Sequence, residues 1–208
     1  MIYVSSNGKK IYTSNVSSGT VSILVDTLLM QGPPPGMKPP PGIAHSSKMP
    51  PPPDAGPHEN WIETIVPTAR GTEGFDVSPD SSELWAASSE DGKIYIINLA
   101  GKKVVSKIDA KVFGANRLKF TTDGKMVFIS SLQSGNLTIY NSKTHKEIKK
   151  LNIGHGAAGI LMDPNGTRAF VACSPDNYVA VIDLKTLEVS GHLDVGGEPD
   201  GLAWAVQH

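Results

Sequence analysis

One cysteine, Cys173, stands in a chain of 208 residues, so no intrachain disulfide can form and the redox compartment stays open. It lies in the strand-like run Ala169 to Ser174, which favours a small packed hydrophobe over a reactive thiol. Aromatic residues make up 6% of the chain, and no apolar run approaches the roughly 18 residues of a membrane span. No span is therefore expected. Neither sign of charge dominates: 19 basic and 20 acidic residues leave a net charge of -1 without a large block of either kind. Nothing electrostatic indicates nucleic acid or an anionic membrane. Met1 opens directly into strand-like Ile2-Tyr3-Val4 with no secretion signal in this chain. A Gly-rich phosphate loop leading into a helix, a G-x-S-x-G elbow and a CxxCH haem motif are all missing. Helical periodicity is missing too, and an almost purely β body is expected.

What the chain has is repetition. The turn residues Asp80, Asp123 and Asn165 are 43 and 42 apart, and the strand-ending Asn98, Asn141 and Asp183 keep the same two spacings. A damaged earlier copy begins at Ser5-Ser6-Asn7-Gly8-Lys9-Lys10, with Thr20 to Val25 matching the strand before Asn98. A period of about 40 to 45 residues holding several short strands is the mark of a β-propeller. The best-preserved copy reads as four strands, at Phe75 to Val77, Leu84 to Ala87, Lys93 to Asn98 and Lys102 to Ile108, here called A to D. Ser78-Pro79-Asp80-Ser81 turns A into B, because Pro presets φ and Asp caps the backbone locally.

The predicted fold is all-β: a β-propeller of four-stranded antiparallel blades, with four repeats and one extra strand. Residues 1–25 hold strands A to C of the first blade, and 61–73 hold its strand D and the loop to the next. Residues 74–116, 117–158 and 159–200 are the second to fourth blades, and 201–208 are an extra strand A. Four blades leave apolar flanks without neighbours. The ring is then incomplete, belongs to a longer protein, exchanges a strand between chains, or is half of a ring shared by a homodimer.

Residues 26–60 interrupt the pattern and contain eleven of the sixteen prolines. Proline removes ladder donors, so this insert between strands C and D cannot pair as sheet. It reads as a surface loop, as a docking segment through the PxxP spacings of Pro33 to Gly42, or as an interface cover. Met30, Met37, His45, Met49 and His58 add thioether and imidazole donors of a kind suited to a soft metal.

The units resemble the YVTN family of bacterial and archaeal propeller repeats. Its Y-V-x-N signature corresponds to Tyr12-Thr13-Ser14-Asn15, Trp85-Ala86-Ala87-Ser88, Phe128-Ile129-Ser130-Ser131 and Phe170-Val171-Ala172-Cys173. Its V-x-V-I-D signature corresponds to Val21 to Val25, Ile94 to Asn98, Leu137 to Asn141 and Val179 to Asp183. The resemblance implies a scaffold used by surface-layer proteins, lactonase-like enzymes, redox-enzyme subunits and DNA-binding periplasmic proteins alike, and favours an exported location.

A propeller's usual site is the channel mouth, lined by the D to A loops. Glu73, Asn116 and Asp200 fall at one equivalent position of those loops, where the fourth copy has Ala158, with Arg117 and His155 nearby. Glu73, Asn116, Arg117, His155 and Asp200 are the expected ligand-binding residues. Glu73, Asn116 and Asp200 are also candidate oxygen ligands for a divalent cation, the one cofactor this set suggests. His155 is a candidate general base, with Arg117 steadying an anionic substrate. Turn chemistry alone also explains Gly, Asn, Asp and Glu in these loops. The expected function is a non-catalytic binding or scaffolding propeller, meeting a protein partner or small ligand at its channel mouth and proline-rich loop. The alternative is a lactonase-like hydrolase, or an accessory subunit of a redox enzyme, with its site at the same mouth.

Overall fold

The computed structural model describes residues 1–27 and 61–205. Sixteen strands form four sheets of four. The first sheet comprises β1 (Ile2–Val4), β2 (Lys10–Asn15), β3 (Thr20–Asp26) and β4 (Trp61–Pro67). The second comprises β5 (Thr72–Val77), β6 (Glu83–Ser88), β7 (Ile94–Asn98) and β8 (Lys103–Ile108). The third comprises β9 (Ala115–Phe120), β10 (Met126–Ser131), β11 (Asn136–Asn141) and β12 (Glu147–Asn152). The fourth comprises β13 (Ala157–Met162), β14 (Arg168–Cys173), β15 (Tyr178–Asp183) and β16 (Glu188–Asp194). Each is an antiparallel meander in chain order, and strand A of one blade lies against strand A of the next, β5 on β9 and β9 on β13. The chain is thus a four-blade portion of a β-propeller, and its one helical element among the described residues is the 3-10 turn Ser174–Asp176.

The turns form for the reasons written in the repeat. Ser78 Oγ donates to Asp80 Oδ1 at 2.6 Å and accepts from the Glu83 backbone N–H, closing the A to B turn. Thr121 with Asp123, and Ser5 with Asn7, repeat the arrangement. After strand C, the Asn98 and Asp183 side chains accept backbone N–H groups at 2.7 and 2.8 Å.

The core lies between blades, because each sheet has two apolar faces. Phe75, Val77, Leu84, Ala86 and Ile97 face the first blade. Their counterparts Leu118, Phe120, Val127, Ile129 and Tyr140 face the second, and Ile160, Ala169, Val171 and Ile182 face the third. Trp85 is fully buried between the second and third blades, edge-on to Phe120, with its indole N–H donated to Glu83. The counterparts in the first blade, Ile2 and Val4, are 66% and 53% exposed. Among the described residues one flank of the array is therefore uncovered, with Ile65 beside Ile2 in the same cross-strand row through Thr13 and Ser22.

Residues 201–205, the described part of the expected extra strand A, form no strand. A strand needs a ladder partner, and none pairs with them among the described residues. The segment instead lies over the fourth blade, held by Ser174 Oγ on the Pro199 carbonyl and by Trp204 against Phe170. Trp204 remains 47% exposed, so it packs on a blade rather than between two. The proline-rich readings fall on residues 28–60, outside the described residues. The strands flanking that segment pair as expected, Asp26 opposite Trp61.

Candidate binding site at the channel mouth

Strands β5, β9 and β13 share an irregularity that the repeat pattern conceals. Between Thr72 and Gly74, between Ala115 and Leu118, and between Ala157 and Ile160, the register against strand B shifts. A bulge of this kind re-aims side chains out of the normal alternation. The bulged positions are Glu73, Asn116 with Arg117, and Ala158 with Gly159, the very place where the candidate site residues sit. Serines at the ends of strand B fix them from the neighbouring blade: Ser14 Oγ donates to the Glu73 carbonyl at 2.7 Å, and Ser130 Oγ to the Ala158 carbonyl at 2.6 Å. Gly74 is required by close approach, since a Cβ there would stand 2.8 Å from the Asn116 carbonyl oxygen.

Four of the five expected residues meet. Glu73, Asn116, Arg117 and Asp200 line one cleft of about 400 Å³, together with Ala158, Leu132, Ser174, Pro175 and Glu198. Asn116 Nδ2 and Arg117 Nη1 each donate to Glu73 Oε1 at 3.2 Å. Arg117 Nη1 also donates to the Asn116 carbonyl at 3.1 Å, and its Nη2 lies 3.8 Å from Asp200 Oδ1. The guanidinium therefore occupies the space between the two carboxylates that a cation would need. Asn116 is 5% exposed, and its Oδ1 is buried without a hydrogen-bond partner.

His155 is elsewhere. Its backbone N–H donates to Asp176 Oδ2 at 2.7 Å, its Nδ1 lies 3.0 Å from Asp176 Oδ1, and its side chain is 84% exposed. It does not line the cleft. The Asp176 carboxyl is held below its ordinary range, chiefly by that backbone N–H of His155. Among the described residues, no group of three or more His, Cys, Asp or Glu is placed to hold a metal ion. Cys173 is buried and donates weakly to the Ile153 carbonyl, and burial pushes its thiol up.

Further along the same inner strands, Asp76 of β5 faces Lys119 of β9 at 3.3 Å and accepts the Phe120 backbone N–H at 3.0 Å. Burial raises the Asp76 carboxyl, against the lowering effect of Lys119. The pair was missed in the sequence, although Tyr3, Asp76, Lys119 and Leu161 occupy equivalent repeat positions. Ser14 and Ser130 were missed as well, because two blades have alanine there, Ala87 and Ala172.

Comparison with known proteins agrees with this architecture. Residues 78–163 match the model of the anaphase-promoting complex subunit 4 WD40 domain. No curated protein sequence matches. Among solved structures, hydrazine synthase of Kuenenia stuttgartiensis is 24% identical with a TM-score of 0.60, over 63% of this chain and 38% of that one. A protein of unknown function from Desulfotomaculum acetoxidans is 12% identical with a TM-score of 0.69, over 96% of this chain and 57% of that one. A protein from Bacteroides uniformis described as a candidate 6-phosphogluconolactonase is 15% identical with a TM-score of 0.68, over 95% of this chain and 55% of that one. The chain thus spans between 38% and 57% of the length of the solved chains it resembles. It is a β-propeller repeat protein, and at these identities the likeness concerns the fold.

Proposed function

We propose that the chain is a non-catalytic binding or scaffolding propeller, with YVTN-type repeats, whose contact surface is the channel mouth. The observation that supports this reading is the separation of the candidate acid-base group from the cleft. Glu73, Asn116, Arg117 and Asp200 converge, whereas His155 pairs with Asp176 outside them. A hydrolase that used His155 as its base at the mouth would need that imidazole within hydrogen-bond reach of the bound substrate. Arg117, already engaged by Glu73 and the Asn116 carbonyl, is poorly free to steady an anion. The fold supplies such a surface, and propellers are used widely for binding.

The test is a hydrolysis assay on aldonolactones, with the wild-type chain and the His155→Ala and Arg117→Ala variants side by side. The expected result is no rate above buffer in any of them. Wild-type turnover that disappears in either variant overturns the reading.

The open flank of the first blade is assigned as a second contact surface. Its exposed Ile2 and Val4 occupy the repeat positions that Phe75 and Val77, Leu118 and Phe120 fill in the buried junctions, so the occupant of matching shape is another blade, here taken as that of a second copy of the chain.

A further inference from the structure

A net charge of -1 conceals an uneven rim. Residues 102–111 and 143–150, which span β8 and most of β12, hold eight of the nineteen basic residues, all lysine, against two acids, Asp109 and Glu147. β8 and β12 are the outer edges of the second and third blades. Lys103, Lys107, Lys111, Lys143, Lys146 and Lys150 are exposed. The lysine ion pairs are made by Lys93, Lys119, Lys125 and Lys149, which leaves these six without one among the described residues. The two edges approach one another at Tyr140 of β11, whose hydroxyl is pushed up to about 12 by burial, then by Glu147 of its own blade and Asp109 of the blade before. We infer that this two-blade rim is a docking surface for an anionic lipid bilayer, a contact beyond those at the channel mouth and the first-blade flank.

The aliphatic residues between the lysines carry the argument. Pairing to strand C passes from Ser106 to Val104 and from Lys149 to Glu147 without a partner for Val105 or Ile148. Each is therefore the extra residue of a β-bulge, and the two side chains are 52% and 44% exposed. Each sits midway between lysines, in Lys103-Val105-Lys107 and in Lys146-Ile148-Lys150, at equivalent positions of the repeat. Bulges and lysines also blunt a sheet edge against stray pairing. The fourth blade shows that this role asks for neither the lysines nor the aliphatic tip, because its outer strand bulges at the equivalent Ser190, between Glu188 and His192. An aliphatic tip between ammonium groups makes an amphipathic surface, apolar toward the acyl boundary and cationic toward lipid phosphate. Nucleic acid is a poorer fit, since neither segment holds an arginine for bidentate phosphate contacts or a Phe, Tyr or Trp for base stacking.

The experiment is sedimentation of the full chain with vesicles of phosphatidylcholine alone and of an equal mixture of phosphatidylcholine and phosphatidylglycerol, at low and at physiological salt. The expected result is binding to the mixed vesicles only, weakened by salt. Lys103→Gln with Lys146→Gln weakens binding about fivefold per lysine removed, at an unchanged melting temperature because both side chains are exposed and unpaired. Val105→Ser with Ile148→Ser, which copies Ser190 of the fourth blade, weakens binding and leaves its salt dependence in place. A double-stranded oligonucleotide and polyglutamate are titrated in parallel. No binding to the mixed vesicles at low salt overturns the inference, as does binding untouched by the lysine pair. Tighter binding of the oligonucleotide or of polyglutamate, with the Val105 and Ile148 substitutions immaterial, assigns the rim to that polyanion and overturns the lipid surface.

Discussion

At the residue scale, the turn aspartates set the acid behaviour. Asp123 is held at about 2, first by the Lys125 backbone N–H and then by the Thr121 hydroxyl. Asp80, Asp91, Asp163, Asp176 and Asp183 are also lowered. A carboxyl lowered in the folded chain contributes stability that is complete above its unfolded value, near 3.9, and is lost as the pH falls through the folded value. Urea unfolding is expected to show stability dropping from pH 4 toward pH 2, with a shallower drop in Asp123→Ala. Equal slopes in the two proteins would show that this turn is not where the protons bind. Asp76 has the opposite sign. Burial raises it, so its contribution is greatest in acid and declines as the pH climbs through the raised value. Asp76→Asn keeps an acceptor for the Phe120 N–H and removes that decline, so its stability relative to wild type is expected to rise between acid and neutral pH in urea unfolding. Cys173 gives a third test. Fully buried and raised by desolvation, it should ignore a thiol reagent in the native chain and take up one equivalent in urea.

At the element scale, what the sequence disclosed and what it hid follow from the same repeat. Turn residues and alternating apolar positions recur every 42 or 43 residues, and they specify strands, sheet order and the inter-blade core. Trp85 on strand B follows this pattern, buried at the junction against Phe120 of the next blade. The bulges at Glu73, Asn116 and Ala158 leave no such trace, since an extra residue shared by all three strands leaves the repeat period unchanged. They decide which way the site residues point. Position within the repeat therefore placed Glu73, Asn116 and Asp200 together but could not show that Arg117 fills the space between carboxylates, or that His155 turns to Asp176. The latter depends on the 3-10 turn at Ser174–Asp176, where Pro175 and left-handed Asn177 break the B to C pattern of the other blades. Residues 201–205 carry no strand for a different reason: side-chain pattern nominates a strand, but a ladder partner makes one, and none of the described residues pairs with them.

At the scale of the whole molecule, the two ends of the array are unlike. The fourth blade's outgoing face, built from Phe170, Ala172, Val179 and Val181, is partly covered by residues 199–205 through Trp204. Among the described residues the first blade's incoming face has no such cover, and Ile2, Val4 and Ile65 are 66%, 53% and 58% exposed. Burying an aliphatic side chain of this size contributes about 1.5–3 kcal/mol, so three of them in one face favour association. A second copy would seat its uncovered first blade against the fourth blade of its neighbour, where β1 takes the place that Trp204 and its segment hold. Two matching junctions of this kind close a ring of two chains, whereas one leaves an open series. Light scattering over a rising concentration series is expected to give a mass climbing from 22.1 kDa and levelling at twice that value. Val4→Lys with Ile65→Lys holds it at the single-chain mass without lowering the melting temperature, because both side chains are exposed in the monomer. Trp204→Ala moves association the other way, to lower concentration, since the segment it removes from Phe170 is the competitor. A wild-type mass that stays at one chain throughout, or an effect of Trp204→Ala in the opposite direction, removes the second copy as the partner of this flank.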